Sequence, residues 1–263
     1  MKDFVVLKVG GSVITDKFSE IPKINPENLK RISKEIVSAY NKDKMSLVII
    51  HGAGSYGHNI VKKTGIHNGI EKDEQLVDFA ETQRLQNELN CIVTKYLIEE
   101  GLPAIPCQAS AFAVMNKGRL VKMDLSAIEG FLKIGLVPVL YGVPAYDEYQ
   151  KCSILSGDQI APYLATELKA KKIIHATNVD GVFTADPNKD SNAELIPEIN
   201  SDNINQIKKY LAGSSATDVT GGMFGKVLEL LNIGIESQLV NALKENNIIK
   251  ALNREKIGTV IRL

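Results

Sequence analysis

The chain has 263 residues, of which 44% are hydrophobic, a proportion typical of a globular protein that buries a substantial core. Its 31 basic and 31 acidic residues give a formal net charge of zero, so the overall charge favours neither nucleic acid nor a membrane surface as a partner. No apolar run approaches the roughly 20 residues of a membrane-spanning helix, and the N-terminus leads into a strand without the layout of a signal peptide. We therefore expect an ordinary soluble enzyme.

Apolar runs alternate with helical patterns along the chain, which favours a mainly parallel sheet flanked by helices. The predicted strands cover residues 4–9, 47–50, 104–106, 136–140, 172–176, 236–240 and 259–263. The predicted helices cover residues 26–41, 73–100, 125–134, 158–168, 202–211, 223–233 and 247–252. Turn residues cluster at 143–151, and we expect a soft boundary there between two lobes of one continuous sheet.

The three cysteines, Cys91, Cys107 and Cys152, are widely spaced and odd in number. This pattern provides neither a metal-ligand pair nor a disulfide framework. We expect reduced, buried cysteines in a cytosolic protein, with a reactive thiol at Cys152 as the alternative.

The first motif that predicts a functional site follows the first predicted strand. Lys8 lies on the strand, Gly10, Gly11 and Ser12 form the turn, and Lys17 follows. Glycines let backbone N–H groups approach anionic oxygens and lysines bring positive charge to them, so the segment predicts a polyphosphate site. The segment matches neither a Walker A loop nor a dinucleotide-binding fingerprint, and a plain tight turn is the structural alternative.

A second glycine-rich loop, residues 51–58, follows the next long strand and ends at His58, where a helix is predicted to begin. An imidazole at this point can hydrogen-bond a phosphate oxygen and change its charge near neutral pH. The alternative is a solvated or core histidine. We interpret His51 as packing or orienting the loop, and His67 and His175 as structural because no motif surrounds them.

Three further motifs lie in the second half of the chain. Residues 156–159 precede a helix and predict an N-terminal cap and a phosphate contact. Residues 177–182 form a polar turn after a strand, suited to a ribose or adenine, with a simple turn as the alternative. Residues 218–226 carry three glycines, of which Gly221 and Gly222 permit close backbone contact, and end at Lys226. A cation near a helix start opposes the helix dipole, so Lys226 is a candidate anion ligand.

Together these motifs resemble those of the amino acid kinase family, over a span from Val6 to Ile261. A histidine at the end of the second glycine loop is typical of members whose acceptor is already a phosphate or phosphonate. The resemblance implies an α/β fold, a three-layer αβα sandwich with a mainly parallel central sheet. It also implies a single domain, 1–263, with an acceptor-binding lobe at about 1–150 and a nucleotide-binding lobe at about 151–263.

The resemblance further implies site residues. Lys17 would stabilise charge on the transferred phosphoryl group, and Asp158 would organise the lysines or a metal. The implied catalytic residues are Lys8, Lys17, His58, Asp158 and Lys226. The implied ATP contacts are Lys8, Gly10, Gly11, Ser12, Gly54, Asn178, Asp180, Gly222 and Lys226. The acceptor phosphate would meet Ala53, His58 and Gly157, and the organic tail would face Phe79, Gln83 and Gln86.

The implied activity is ATP-dependent phosphorylation of isopentenyl phosphate to isopentenyl diphosphate in isoprenoid biosynthesis, with Mg²⁺, in a cytoplasmic homodimer. Phosphoryl transfer needs positioning and charge neutralisation more than covalent chemistry, and lysines, backbone donors and Mg²⁺ supply both. No protein ligand of the metal is assigned.

Three positions depart from the family pattern: Ala53 replaces a commoner glycine, Val143 stands where an acidic residue is usual, and Asn178 where aspartate is usual.

Three alternative functions stay open. They are a fosfomycin-type kinase, a uridylate or acetylglutamate kinase, and a non-catalytic nucleotide or metabolite sensor on the same fold. The phosphate-side histidine disfavours acetylglutamate, and the retained lysines disfavour the sensor.

Overall fold

The computed structural model describes residues 2–16, 19–187, 189–213, 222–231 and 233–263. Lys17 and residues 218–221 of the last motif lie outside these residues. The strands are β1 (Asp3–Val9), β2 (Met45–His51), β3 (Ala104–Pro106), β4 (Ala113–Asn116), β5 (Arg119–Met123), β6 (Val137–Tyr141), β7 (Val143–Asp147), β8 (Lys151–Leu155), β9 (Lys172–Thr177), β10 (Val182–Phe183), β11 (Leu195–Ile196), β12 (Glu198–Ile199), β13 (Ser237–Asn241) and β14 (Thr259–Ile261). The α-helices are α1 (Gly11–Ile14), α2 (Pro26–Ala39), α3 (His58–Thr64), α4 (Glu74–Glu99), α5 (Ser126–Ile134), α6 (Gly157–Glu167), α7 (Ile204–Gly213), α8 (Gly222–Leu230) and α9 (Asn247–Leu252).

Within the described residues, a central sheet contains eight strands in the order β12-β14-β13-β9-β1-β2-β6-β3. Its neighbouring strands are parallel, except that β13 and β14 are antiparallel. Strands of such a sheet are covered on both faces, which explains why β2 and β6 are almost continuously apolar. The predicted mainly parallel sheet is confirmed.

Two apolar cores lie on opposite faces of this sheet. On one face, β1 contributes Val6 to a core shared with buried residues of α5, α6, α7 and α8. On the other face, Val5 and Leu7 pack with α2, α4 and α9. Alternate residues of one strand therefore serve different cores, as the pleat requires. The predicted three-layer αβα sandwich is confirmed.

A smaller sheet, in the order β5-β4-β7-β8, was not predicted from the sequence. The segment 143–151, interpreted as a cluster of turn residues, is mostly the hairpin of β7 and β8, with Val143 opposite Leu155 and Asp147 opposite Lys151. These strands are short, and β5 is largely exposed, so their apolar pattern is weak. The turn signals belong to the hairpin tip.

The cysteines are free, and two of the three are buried. Burial raises the pKa of the Cys152 thiol to about 12, which argues against the reactive-thiol alternative. The prediction of burial is wrong for Cys91, because that residue lies on the solvent face of α4.

No helix among the described residues has the length and apolar character needed to cross a bilayer.

Asp147 joins the two hairpins of the smaller sheet. Its carboxylate is fully buried. It accepts hydrogen bonds from four backbone N–H groups and one hydroxyl, those of Lys117, Gly118, Tyr149, Gln150 and Ser153, over 2.7–3.1 Å. Burial alone raises the pKa of Asp147, but these donors outweigh it and lower the pKa to about 2. The carboxylate therefore stabilises the fold in its ionised form.

We expect Asp147→Asn to lower the free energy of unfolding by about 2–4 kcal/mol at neutral pH, since Asn keeps one acceptor oxygen and replaces the other with an NH₂ group, which cannot accept from the donors that face it. Because the folded pKa is depressed, the wild-type advantage is present above the ordinary aspartate value of 3.8 and is lost as pH falls toward about 2. Denaturant titration across this pH range measures both effects. The matched control is Asp43→Asn at an exposed position, which should change stability by less than about 0.5 kcal/mol. Equal stability of the two variants at neutral pH would contradict this role.

Candidate functional site

The glycine loops predicted from the sequence meet at the carboxyl edge of the central sheet. Since β1, β2 and β9 are parallel, the segments after Val9, His51 and Thr177 leave the sheet on the same side. Gly10 donates its N–H to Ala176 O at 2.8 Å, and Gly52 donates to Val9 O at 2.9 Å. Backbone hydrogen bonds therefore hold the first two loops directly above the strand ends.

Two glycines allow these loops to touch. A Cβ placed on Gly11 would lie 2.2 Å from the backbone N of Gly54, and one on Gly54 would lie 2.0 Å from Thr15 Oγ1. Gly54 also has a φ of +52°, a conformation that favours glycine. Thr15 Oγ1 donates to Gly11 O at 2.9 Å and accepts from Ser55 N at 3.1 Å. The first and second glycine loops thus form one rigid unit.

A buried cluster of charged side chains lies beneath this unit. Lys8 Nζ is 2.9 Å from Asp158 Oδ1, and Lys226 Nζ is 3.2 Å from Asp158 Oδ2. The Asp158 side chain is only 8% exposed, and those of Lys8 and Lys226 are 6% and 16% exposed. One carboxylate therefore holds together two lysines that come from the first strand and from α8.

The Asp158 carboxylate is ionised in this cluster. Burial alone raises the pKa of Asp158, but the charges of Lys8 and Lys226 and the proximity of His175 lower it well below its ordinary range. Asp158 is the second residue of α6, where a negative charge also interacts favourably with the helix dipole. The site therefore presents two ammonium groups around a single fixed anion.

The start of α6 confirms the predicted cap, because Ser156 Oγ accepts from Gln159 N at 3.3 Å. Gly157, beside it, has little room for a side chain. Its Cβ would lie 3.1 Å from Ile50 Cγ2 and 3.4 Å from Lys8 Cε. The backbone of Gly157 is thus in direct contact with the lysine of the charged cluster.

His175 is the site neighbour that the sequence interpretation missed. The lack of a surrounding motif predicts a structural role, yet its Nδ1 atom lies 3.5 Å from Asp158 Oδ1 and its side chain is fully buried. Strand register explains the contact, since His175 on β9 is the direct partner of Lys8 on β1. This pairing depends on which strands are neighbours, and no local motif reveals it.

His51 supports the second loop from within the core, in agreement with its predicted orienting role. Its ring stacks on Tyr141 with centroids 5.4 Å apart, and its ring nitrogens lie 3.1 Å from Gly52 O and 3.2 Å from Asn90 Oδ1. Burial lowers the pKa of His51 to about 4, so the ring is neutral at physiological pH. His58, in contrast, is exposed and begins α3 at the end of the same loop, five residues after the half-buried Ala53.

The three residues predicted to face an organic tail lie on one side of α4. Phe79 is half-buried against Val61, Ile66 and Cys152. Gln86 is 2% exposed and its amide lies against Gly57, where a Cβ would be 1.9 Å from Gln86 Nε2.

Gln83 donates to Pro144 O at 2.9 Å and to Ser110 Oγ at 3.1 Å, and it accepts from Gln108 Nε2 at 3.0 Å. Gln83 is therefore half-buried and Gln86 is buried, so neither glutamine of this set is a simple surface residue.

The residues predicted to contact a nucleotide lie on several elements. Ser12 is in α1, Asn178 is exposed after β9, and Gly222 begins α8, the helix that carries Lys226. Asp180 Oδ1 accepts from Lys244 at 2.7 Å and from Asn241 at 3.1 Å. Gly258, close to the end of the chain, packs beneath the turn that contains Asp180. Its φ is +67°, and Leu239 O leaves no room for a Cβ at this position. Among the described residues, no group of three His, Cys, Asp or Glu side chains is placed to hold a metal ion.

Comparisons with known proteins agree with this geometry. The profile of the amino acid kinase family matches residues 3–240. The chain belongs to the amino acid kinase family.

Individual members of the family are similar to the chain over nearly its whole length. The isopentenyl phosphate kinase of Methanothermobacter thermautotrophicus is 42% identical, with 98% of each chain covered. The isopentenyl phosphate kinase of Methanocaldococcus jannaschii is 39% identical, with 97% of each covered. A solved structure titled as an isopentenyl phosphate kinase superposes with a TM-score of 0.83 at 37% identity, covering 98% of this chain and 99% of that one.

We expect Gly11→Ala to destabilise this family member by about 1–3 kcal/mol, because the added methyl group would overlap the Gly54 backbone. ATP affinity should fall as well, since the two glycine loops would separate. Thermal unfolding and ATP titration measure the two effects. The control is Gly130→Ala within α5, where a Cβ meets no atom within 4 Å and should slightly stabilise the helix. Wild-type ATP affinity in Gly11→Ala would show that loop contact is irrelevant to the site.

Proposed function

We propose that the chain is an ATP-dependent kinase that phosphorylates isopentenyl phosphate to isopentenyl diphosphate, a step of isoprenoid biosynthesis. The reaction class is supported by one observation above all: two lysines converge on a buried carboxylate beneath the glycine loops. The acceptor is supported by the relatives named as isopentenyl phosphate kinases, which match this chain over nearly its full length.

In this proposal the lysine pair neutralises the phosphate groups of ATP. Lys8 and Lys226 are held by Asp158 at 2.9 Å and 3.2 Å, so both charges are in position before the nucleotide binds. Charge that is fixed in advance stabilises a transition state without reorganisation at the moment of reaction. Asp158 thus acts as the residue that organises the lysines, and Lys17 outside the described residues stays a predicted ligand of the transferred group.

Backbone groups supply the remaining nucleotide contacts. Gly10, Gly11 and Ser12 follow β1 directly; the N–H of Gly10 is bonded to Ala176 O, so Gly11 and Ser12 would offer the N–H groups and Gly10 would allow close approach of the backbone. The other proposed contacts on the nucleotide side are Gly54, Asn178, Asp180 and Gly222. The proposal keeps the division into an acceptor-binding lobe at about 1–150 and a nucleotide-binding lobe at about 151–263.

On the acceptor side, the phosphate of the substrate would meet the backbone of Ala53 and the N–H of Gly157. His58, exposed at the end of the same loop, would bind a phosphate oxygen through its ring. The phosphate oxygen of the acceptor is itself the nucleophile that attacks the γ-phosphoryl group of ATP, with ADP as the leaving group. The proposal therefore requires no strong general base.

The proposal includes Mg²⁺, a cytoplasmic location and a homodimer, with no nucleic acid as partner. Asp158 is the one acidic side chain in the described lysine cluster, so the ion would be held mainly by phosphate oxygens and water, and Asp158 would help to organise the site around it. When bound, Mg²⁺ supplies further neutralisation of phosphate charge.

The direct test is ADP release with Mg-ATP and a panel of acceptors: isopentenyl phosphate, dimethylallyl phosphate, fosfomycin, acetylglutamate and uridylate. Strong turnover of isopentenyl phosphate supports the proposal. Preference for fosfomycin would favour the phosphonate alternative, and preference for uridylate or acetylglutamate would favour another branch of the family. ATP binding without any turnover would favour a sensor.

We expect His58→Ala to lower kcat/KM for isopentenyl phosphate by at least about 100-fold while ATP still binds, because a charged hydrogen bond to the acceptor phosphate is lost. Steady-state kinetics and ATP titration measure the two properties. Lys62→Ala, which removes an exposed charge from the same helix, is the matched control and should be near wild type. Unchanged kcat and KM in His58→Ala would remove His58 from the acceptor site.

We expect Phe79→Ala to raise kcat/KM for longer prenyl monophosphates, such as geranyl phosphate, by roughly tenfold, because the tail gains the volume of the ring. Acceptor profiling measures the change relative to isopentenyl phosphate. The control is Val77→Ala on the same helix, where the side chain is 71% exposed. An unaltered acceptor profile in Phe79→Ala would mean that the ring belongs only to the core and that the tail lies elsewhere.

A further inference from the structure

We propose that His175 is a positioning residue that supplies a hydrogen-bond donor to Asp158 Oδ1, so that Lys8 can leave this oxygen for a phosphate of ATP. The inference rests on the proposed function for the identity of the nucleotide.

The geometry places imidazole and ammonium around the same oxygen. Lys8 Nζ lies 2.9 Å from Asp158 Oδ1, and His175 Nδ1 lies 3.5 Å from it. Lys8 and His175 are direct partners across β1 and β9, and direct partners point to the same face of a sheet. That face is covered by α6, which carries Asp158. At 3.5 Å the imidazole is poised beside the oxygen rather than firmly bonded to it.

Simple packing does not account for a histidine at this position. Its neighbours on β9 are Ile173, Ile174 and Ala176, all buried and apolar. The His175 side chain is fully buried, and neither ring nitrogen has a hydrogen-bond partner within the described part of the chain. A buried polar group without a partner is costly, so an apolar side chain would serve the core better. The unbonded ring, directed at a carboxylate, indicates a role in the site.

The charge of the surroundings defines that role. Burial lowers the pKa of His175, and the positive charges of Lys8 and Lys226 lower it further, although Asp158 opposes both. The ring is accordingly neutral at physiological pH, and a neutral imidazole donates one N–H without bringing a third positive charge to the cluster.

Nucleotide binding would change the partners of Asp158. If Lys8 turns toward a phosphate, Asp158 Oδ1 loses its nearest positive charge while still buried, and a buried carboxylate oxygen without a cation or a hydrogen-bond donor is strongly unfavourable. An imidazole N–H that moves less than about 1 Å can form a normal hydrogen bond to Oδ1. His175 thereby lowers the free energy needed to redirect Lys8.

The test compares His175→Leu with His175→Asn in the full-length chain. The Asn amide nitrogen can occupy the place of Nδ1 and donate a hydrogen bond, whereas Leu cannot. We expect His175→Leu to weaken ATP binding roughly tenfold with little loss of thermal stability, and His175→Asn to restore most of the affinity. Should His175→Leu fail to fold, His175→Met provides a flexible apolar replacement. Ile173→Val, on the same face of β9, is the packing control and should affect stability alone.

Three outcomes would overturn the inference. The first is wild-type ATP affinity and kcat in His175→Leu, and the second is an equal loss of ATP affinity in the Asn and Leu variants. The third is a loss of ATP affinity that simply follows the loss of thermal stability. A double-mutant cycle adds an independent measure, because His175→Leu should have little effect on ATP binding once Lys8→Met has removed the ammonium. If the two substitutions lower ATP affinity additively in that cycle, the inference is also contradicted.

ATP binding needs no acceptor, so this experiment is separable from the proposed function. If the wild type binds ATP without phosphorylating isopentenyl phosphate, the acceptor assignment fails and the role of His175 is still measured. If isopentenyl phosphate is phosphorylated and His175→Leu behaves as wild type, the function stands and the role of His175 fails.

Discussion

The ion pairs of Asp158 with Lys8 and Lys226 are the interaction on which the candidate site depends. Two ammonium groups in a largely buried space repel each other, and they are stable there only if an anion is fixed between them. Asp158 supplies that anion from the first turn of α6, with Lys8 on its Oδ1 and Lys226 on its Oδ2. A single carboxylate therefore links the central strand of the sheet to the two helices α6 and α8, and it keeps both positive charges beneath the glycine loops.

The glycine loops are the complementary part, because they bring backbone donors to the same place as the charges. Gly11 and Gly54 are in van der Waals contact through backbone atoms, and Thr15 hydrogen-bonds both loops. Side chains larger than hydrogen would separate the loops and move their N–H groups away from the lysines. The site thus combines a rigid surface of backbone donors with ammonium groups whose partners can change, a division that suits the binding of a polyphosphate.

Local patterns in the sequence predicted the parts of this site that have local causes. The glycine loops, the cap at Ser156 and the helix containing Lys226 are all recognisable from short-range chemistry. His175 was not recognisable, because it stands within an ordinary apolar strand and meets Asp158 only through the register of β9 against β1. The hairpin of β7 and β8 was missed for a related reason. Its strands are short, and its stability comes from Asp147, whose donors belong to two separate turns.

The acceptor side depends on a polar interface between α4 and strands of both sheets. His51 faces Asn90, Tyr141 donates to Asn87, and Gln83 donates to the carbonyl of Pro144. Apolar surfaces tolerate sliding, whereas hydrogen bonds of this kind are satisfied in one register of the helix and leave buried groups unpaired in any other. Because the register of α4 is fixed, Gln86 lies against Gly57 of the second glycine loop and Phe79 lies farther along the same side of the helix. In the proposed kinase, the reach of the acceptor tail from His58 toward Phe79 would therefore be set by this polar network, in which Gln83 is also a proposed contact of the tail.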